Sequence, residues 1–426
     1  MHVRLSRITQ FRRETKLLLL ASGVLAISFF GIQMLLKVLY VLRLGYGLEF
    51  VGLFNATGAL TYMAMSLPAG AAASRFGIQR TMIIGCVVTV FGMAMLPMTE
   101  VLPASAWDGW LILSQVILTV GYALFGISAV PALMAASSPE NRNDAFAMSG
   151  VLRGLGTFVG TLFGGLLPGL FALAFGLGLD DPSPYRYALW ISALLGMVAL
   201  PPLLKVGRLE STEPGEATSA GGTFPMLPVA LVAGYVALSH GGGATCQSLC
   251  SAYMDTDLKM SVAAIGLVTA IGQFVAMMAP MVGPHLARQR GNGWILVVTA
   301  LGVGLFLAPL ALVPTGTAAS IGRVGVLALS ALQLPALQIF QMELVAVQWR
   351  SMAYGAASMA MGLGFGVMSL AGGYIAALWG YSWLFMIGVG LSVASAVLLH
   401  AGLRVPALRV KPPAPIHVSP TPSELT

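Results

Sequence analysis

Residues Arg142–Gly165 read RNDAFAMSGVLRGLGTFVGTLFGG, and residues Arg350–Gly373 read RSMAYGAASMAMGLGFGVMSLAGG. Each is an arginine followed by a run of small and apolar residues long enough to enter a bilayer, where a spanning helix needs about 20 residues. At a constant offset the two match at Arg142/Arg350, Ala145/Ala353, Gly154/Gly362, Leu155/Leu363, Gly156/Gly364, Val159/Val367, Leu162/Leu370, Gly164/Gly372 and Gly165/Gly373. A repeat of this kind means two halves of parallel type, with glycines that let neighbouring helices pack backbone to backbone.

The rest of the chain agrees. Of 426 residues, 57% are hydrophobic and 9% charged, against about 25% charged in a soluble domain. That excludes a soluble enzyme, a disordered chain and a disulfide scaffold. Cys86, Cys246 and Cys250 all fall in apolar runs and make no framework of bridges. Apolar runs recur at residues 17–42, 50–73, 80–98, 109–136, 145–175, 185–204, 225–251, 262–284, 292–313, 323–347, 352–377 and 382–402. Nothing alternates as barrel strands do, so these read as twelve transmembrane helices in an all-α membrane protein. Residues 1–204 form one six-helix bundle and residues 225–403 a pseudo-symmetric second one. Residues 205–224 read as a cytoplasmic linker, and the proline-rich 404–426 as a disordered cytoplasmic tail.

Basic residues set the orientation. Of 22 Lys and Arg, Arg43, Arg186, Lys259 and Arg323 fall on one side and Lys37 and Arg153 within spans; all the others fall with the two termini. Both termini are therefore expected in the cytoplasm of a cell (plasma or inner) membrane. The net charge of +7 reads as a topology signal facing anionic lipid, not nucleic acid. Trp107, Trp110, Trp294, Trp349, Trp379 and Trp383 fall at span ends, as interfacial aromatics do.

Two loops carry a resemblance. Between spans two and three the chain reads Gly70-Ala-Ala-Ala-Ser74-Arg75-Phe-Gly77-Ile-Gln-Arg80, and between spans eight and nine Gly283-Pro-His-Leu-Ala-Arg288-Gln-Arg290-Gly291. With twelve spans, the central linker and the repeat, the sequence resembles the major facilitator superfamily of secondary transporters over its whole length. The resemblance implies two bundles rocking around a central cavity lined by spans one, four, seven and ten. It also implies gating roles for Gly70, Ser74, Arg75, Gly77, Arg80, Arg142, Gly283, Arg288 and Arg350, the arginines otherwise being plain inside anchors. Ser74 stands where the family usually has an acid, and span four lacks the arginine many drug exporters carry. Gly156, Gly160, Gly164 and Gly165 resemble part of an antiporter signature, without its Gly-Pro step.

No acid falls at mid-membrane, so proton coupling through a buried mid-span carboxylate is not expected. Arg153 lies about 15 Å into span five, where an arginine costs roughly 2.5–3.5 kcal/mol. It either bonds backbone carbonyls, contacts an anionic ligand, or snorkels. Lys37, near the outer end of span one, is expected to snorkel. His240 precedes Gly241-Gly242-Gly243, which should loosen span seven; it is a proton or substrate site or a packing residue. Gln33, Gln115, Tyr122, Gln247, Gln273, Gln333 and Gln338 are cavity candidates or interhelical glue.

Walker, dinucleotide and metal-ligand patterns are lacking, so no enzyme, cofactor or metal site is expected. The resemblance implies a monomer that exports a small amphipathic or drug-like solute, with a proton or sodium as coupling ion. The alternatives are an uptake carrier or facilitator for a polar or anionic metabolite, anchored by Arg153, and a transport-inactive receptor or scaffold.

Overall fold

The computed structural model describes residues 11–138, 141–207, 225–345 and 349–404. Among them all regular structure is helical. The first half holds α1 (Arg13–Arg43), α2 (Leu48–Phe76), α3 (Ile78–Val101), α4 (Ala104–Ala136), α5 (Arg142–Phe175) and α6 (Ser183–Leu204). The second holds α7 (Met226–Thr256), α8 (Val262–Met278, then Gly283–Arg290 after a 51° bend), α9 (Asn292–Leu312), α10 (Gly316–Leu344), α11 (Arg350–Trp379) and α12 (Tyr381–Leu403). Eleven of these are long and apolar enough to cross a bilayer singly, and the bent α8 makes the twelfth. Nearly all of the linker and tail lies outside the described residues.

Two boundaries correct the sequence reading. The three glycines Gly241–Gly243 do not break α7, which is continuous from Met226 to Thr256. They are packing residues: a Cβ on Gly242 would lie 2.4 Å from Ser392 Oγ, and one on Gly241 3.2 Å from Met368 Cγ. Second, α10 starts at Gly316, where Thr315 caps it by accepting from Ala318 N at 3.3 Å. Arg323 is therefore two turns inside a helix rather than in an outer loop. An unexpected feature is a π-helical stretch in α1, Ala26–Gln33. It lies against the glycine face of α5, where a Cβ on Gly160 would meet the Ile27 carbonyl oxygen at 2.1 Å.

The halves meet along two helix pairs, α2 with α11 and α5 with α8. At one end of each pair a glycine faces a glycine. A Cβ on Gly52 would lie 2.9 Å from Gly373 Cα, and one on Gly266 2.5 Å from Gly165 Cα. Further along, Met63 covers Gly362 and Met277 covers Gly154. Gly165 and Gly373 belong to the repeat already read. Gly52/Gly266 and Met63/Met277 show a second register, each pair 214 positions apart, as are Gly77 and Gly291.

Beyond the methionines the pairs separate toward the end that carries residues 13 and 403, here called the terminal end. Leu67 is 76% and Met281 59% exposed there, and nothing lies within 4 Å of a Cβ on Gly150. The cores follow this division. At the far end one cluster draws on both halves, with Leu36, Tyr40 and Tyr185 beside Leu249, Tyr253 and Phe385. Toward the terminal end the clusters are separate, one around Met82 and Phe125, another around Tyr235 and Phe340. The molecule is closed at the far end and parted at the terminal end.

An ion pair ties the far end across the halves. Arg43, the last residue of α1, donates to both oxygens of Asp255 in α7 at 2.6 and 2.7 Å, and its Nε donates to the Leu179 carbonyl at 2.9 Å. The two side chains are 16% and 5% exposed, so this is a bidentate, largely desolvated pair.

Two outcomes follow from these contacts. Gly160→Ala should lower stability by about 1–3 kcal/mol, since its methyl meets backbone that cannot turn aside. Gly169→Ala, with nothing within 4 Å of its Cβ, should change it by no more than about 0.5 kcal/mol; thermal unfolding in detergent separates the two. Asp255→Asn should shift the closed-to-open ratio at the far end by about 10–100-fold, below the full cost of a buried pair because Arg43 keeps some solvent. Spin labels at Ser105 and Thr317 would report a longer distance, and Arg43→Leu with Asp255→Leu should return the short one. An unchanged distance in Asp255→Asn would mean that the ion pair does not hold this end shut.

Candidate functional site

The parted end leads to an aromatic wall built by the first half. Phe29 and Phe30 of α1 lie 4.9 Å apart, ring to ring, and Tyr122 of α4 stacks on Phe29 at 4.8 Å and stands edge-on to Phe30 at 5.3 Å. Tyr62 of α2 stacks on Tyr122 at 5.8 Å. The π-helical stretch contains both phenylalanines; such widened turns recur at functional sites.

Arg153 of α5 stands within electrostatic reach of this wall. Its charge acts on both the Tyr62 and the Tyr122 phenols, and Tyr354 of α11 acts on Tyr62 from the second half. The side chain is exposed. Among the described residues it has neither an acid nor a hydrogen-bond partner; only its carbonyl is engaged, accepting from Thr157 at 2.8 Å. The arrangement is a guanidinium with its donors free, set beside aromatic faces about 16 Å along α5.

The other candidate residues divide. Gln247 of α7 and Gln338 of α10 are exposed, and Gln273 of α8 is half-buried. Gln333 is buried and donates to the Tyr235 hydroxyl at 2.5 Å, which donates to the Leu296 carbonyl at 2.9 Å, so it serves packing within the second half. Gln115 is buried against α2, where a Cβ on Gly58 would strike its Nε2. His240 is half-buried and its Nδ1 donates to the Val236 carbonyl one turn back, at 3.1 Å. That bond holds the ring to its own helix.

Lys37 corrects the snorkelling expectation. It is 6% exposed, with Nζ over the Phe54 ring at 5.5 Å. Among the described residues it has no acid and no hydrogen-bond acceptor. Gln33, one turn before it, is completely buried, and neither its amide nitrogen nor its oxygen has a partner there. A desolvated ion costs several kcal/mol, whereas a cation over a ring returns about 2, and each unmet amide atom adds about 1–3. The far end of α1 therefore carries a net polar deficit.

Arg323 is a third cation that the sequence reading misplaced. It is 7% exposed in α10. Its Nε donates to Thr269 Oγ1 of α8 at 2.9 Å, its charge acts on the thiols of Cys246 and Cys250 in α7, and Nη1 has no partner among the described residues. Thr315 as a helix cap was the available signal: it starts α10 early enough to draw Arg323 inside. Arg43 and Asp255 could not be paired from sequence, being 212 positions apart. The described acids all sit at helix ends or in connections, as Glu49, Glu100, Asp108, Asp144, Asp255 and Glu343 do.

The signature loops show their repeat in the backbone. Gly77 and Gly291 both take positive φ, +89° and +80°, at the start of the helix that follows, a conformation that favours glycine. Gly70 lies in the last turns of α2, and Gly283 opens the second segment of α8. Ser74 caps nothing; its hydroxyl donates back to the Ala71 carbonyl at 2.9 Å. Arg75 lies over Phe76 at 5.6 Å, Arg80 and Arg288 are exposed, and Arg290 covers Trp294 at 4.8 Å. Asn292 donates to Glu343 at 3.3 Å beside a cleft of about 570 Å³. The side chains of Arg142 and Arg350 lie outside what the structure describes.

The architecture has known counterparts. A nucleoside transporter, NupG, superposes with a TM-score of 0.72 at 14% identity, covering 92% of this chain and 99% of that one. A D-xylose–proton symporter gives 0.70 at 16% identity, covering 94% and 98%. A bacterial homologue of the human lysosomal transporter Spinster, in an inward-facing and occupied conformation, gives 0.66 at 18% identity, covering 91% and 94%. At these identities the likeness is one of fold. No curated protein matches the sequence. The sequence description of the Major Facilitator Superfamily matches residues 18–240 and 232–424, so the chain, with its twelve-helix architecture in two halves, belongs to that superfamily of membrane transporters.

Proposed function

We propose that this transporter carries a small amphipathic organic anion by alternating access, with Arg153 as the contact for its acidic group. The observation that carries the reading is the exposed guanidinium of Arg153, without an acid among the described residues and within electrostatic reach of Tyr62 and Tyr122. The rings of Phe30, Tyr62 and Tyr122, backed by the buried Phe29, offer an apolar body a flat wall, and a carboxylate matches the guanidinium fork. This favours an anionic solute over export of lipophilic cations. A cation would meet Arg153 with no carboxylate among the described residues beside it, and like charges in a low-dielectric space repel. Gln247 and Gln338, exposed on α7 and α10, supply neutral polar contacts from the second half.

The concentration of lysine and arginine at the terminal end supports placing that end in the cytoplasm, which makes the present conformation inward-open. The parted loops around Arg75, Arg80 and Arg288 are then the cytoplasmic gate. The acids at helix ends support coupling that does not run through a mid-span carboxylate.

The test uses three probes of one size, benzoate, benzyl alcohol and benzylammonium, titrated into purified protein with thermal unfolding as readout. Benzoate should stabilise the parent, and Arg153→Gln should weaken its binding about 10–100-fold, the worth of a hydrogen bond to a charged group. Equal stabilisation of parent and Arg153→Gln by benzylammonium, with none by benzoate, would overturn the anion reading in favour of cationic drug-like solutes.

A further inference from the structure

Along α1, going from the parted end to the closed one, stand the phenylalanines Phe29 and Phe30, then Gln33, then Lys37, and last Arg43 with its Asp255 partner. Gln33 and Lys37 are one turn apart on one face of the helix, about 6 Å in rise. Both are sealed in this conformation, at 0% and 6% exposure. Both amide atoms of Gln33 lack a partner among the described residues, and Lys37 has only the face of Phe54. Two donors on a shared face, an amide N–H₂ and an ammonium, are what a carboxylate or similar anion takes up.

The neighbouring contacts indicate when this face opens. Phe54, which covers Lys37, is followed in α2 by Asn55, whose Nδ2 reaches the Ser248 carbonyl of α7 at 3.4 Å, across the two halves. Gly52, one turn before Asn55's level, abuts Gly373 of α11. The lid over Lys37 thus belongs to the same turns of α2 that join the halves. When the far end parts, those contacts are lost together with the shared core that sets Leu36 and Tyr40 of α1 beside Leu249 and Tyr253 of α7, so this stretch of α1 loses the cover of the second half while Phe54 moves with its own half.

We propose that Gln33 and Lys37 form a second anion subsite, closed in this conformation, that receives the acidic group of the substrate when the far end opens. Arg153 serves the terminal-end conformation and the α1 pair serves the other, so the substrate's charge has a protein partner in both. This rests on the anionic-substrate reading and adds to it the residues that hold the same group in the second conformation.

The test sets benzoate binding in the Asp255→Asn protein, whose far end is released, against the same protein carrying Lys37→Met, Gln33→Leu or Lys37→Arg. Lys37→Met should weaken benzoate about tenfold, the effect of one charge-assisted contact. Gln33→Leu should weaken it by a smaller factor, and Lys37→Arg should restore it. Ligand-free Lys37→Met should unfold at no lower temperature than the parent, since it removes an unpaired buried charge, so loss of fold does not mimic loss of the subsite. Equal benzoate affinity of Asp255→Asn with and without Lys37→Met overturns the subsite and leaves the Arg153 reading standing. Benzoate binding in the parent that is indifferent to Arg153→Gln overturns the anion reading itself, and the subsite with it.

Discussion

Two glycine-on-glycine contacts, Gly52 with Gly373 and Gly165 with Gly266, set the geometry on which everything else in the molecule depends. In lipid there is no hydrophobic force to press one helix on another, so association rests on close packing and interhelical hydrogen bonds. A helix pair that meets through glycine brings backbone against backbone: a Cβ at Gly266 would stand 2.5 Å from Gly165 Cα. Such a contact is tight at one level and cannot persist where side chains return. Further along, side chains take over, Leu60 on Gly366 and then Met63 on Gly362 on one seam, Phe158 beside Phe274 and then Met277 on Gly154 on the other, and past the methionines the helices diverge. The wedge-shaped opening at the terminal end is therefore a consequence of where the small residues stop. The two seams are related by the internal repeat, so the opening is symmetric about the pair.

Within the membrane-spanning helices the distribution of charge is one-sided. Lys37, Arg153 and Arg323 lie within the membrane-spanning helices, while the described acids stand at helix ends. A protein that places cations at depth without acids must find their compensation elsewhere. For Arg323 part of it comes from Thr269 and the two thiols, inside the second half. Arg153 keeps its side chain exposed and, under the proposed function, takes the acid of the solute. The aromatic wall adds specificity by shape, since flat rings reward a flat apolar body and the guanidinium orients its acidic end.

Much of the fold was legible in the sequence because lipid leaves a chain few options. Charge content, run length and the offset between Arg142 and Arg350 were enough for twelve helices in two halves. The site was legible in part. Arg153 was recognisable because a lone arginine in an apolar run is costly wherever it points, and its depth followed from counting. Which way it pointed was not, since that depends on helix rotation and on Tyr62 and Tyr122, two other helices away. Lys37 was misread for the same reason: snorkelling is correct for a lysine facing lipid, and only the packing of α2 over α1 turns it inward onto Phe54. The glycine triplet at Gly241–Gly243 shows the converse error. Glycine loosens a helix in isolation, but against Ser392 and Met368 it is what allows α7 to pack closely. The second repeat register was missed because it is carried by scattered positions, Gly52, Met63 and Gly77, that acquire meaning only as contacts.

The far end then holds two opposed contributions. The Arg43–Asp255 pair, bidentate and mostly desolvated, favours closure; the sealed Lys37 ammonium and the unpartnered Gln33 amide oppose it. A latch alone would trap the molecule, because reversing a 99:1 preference takes about 5.5 kcal/mol of differential binding, much of what a small solute can provide. A polar deficit buried behind the latch lowers that requirement by making the closed end less stable than its contacts alone would make it. Covering the same face with leucine and methionine would give a tighter seal and a slower switch. On this argument Gln33 and Lys37 are unfavourable to the conformation seen and favourable to the cycle, which is why a residue that costs stability can stand in the middle of a well-packed cluster.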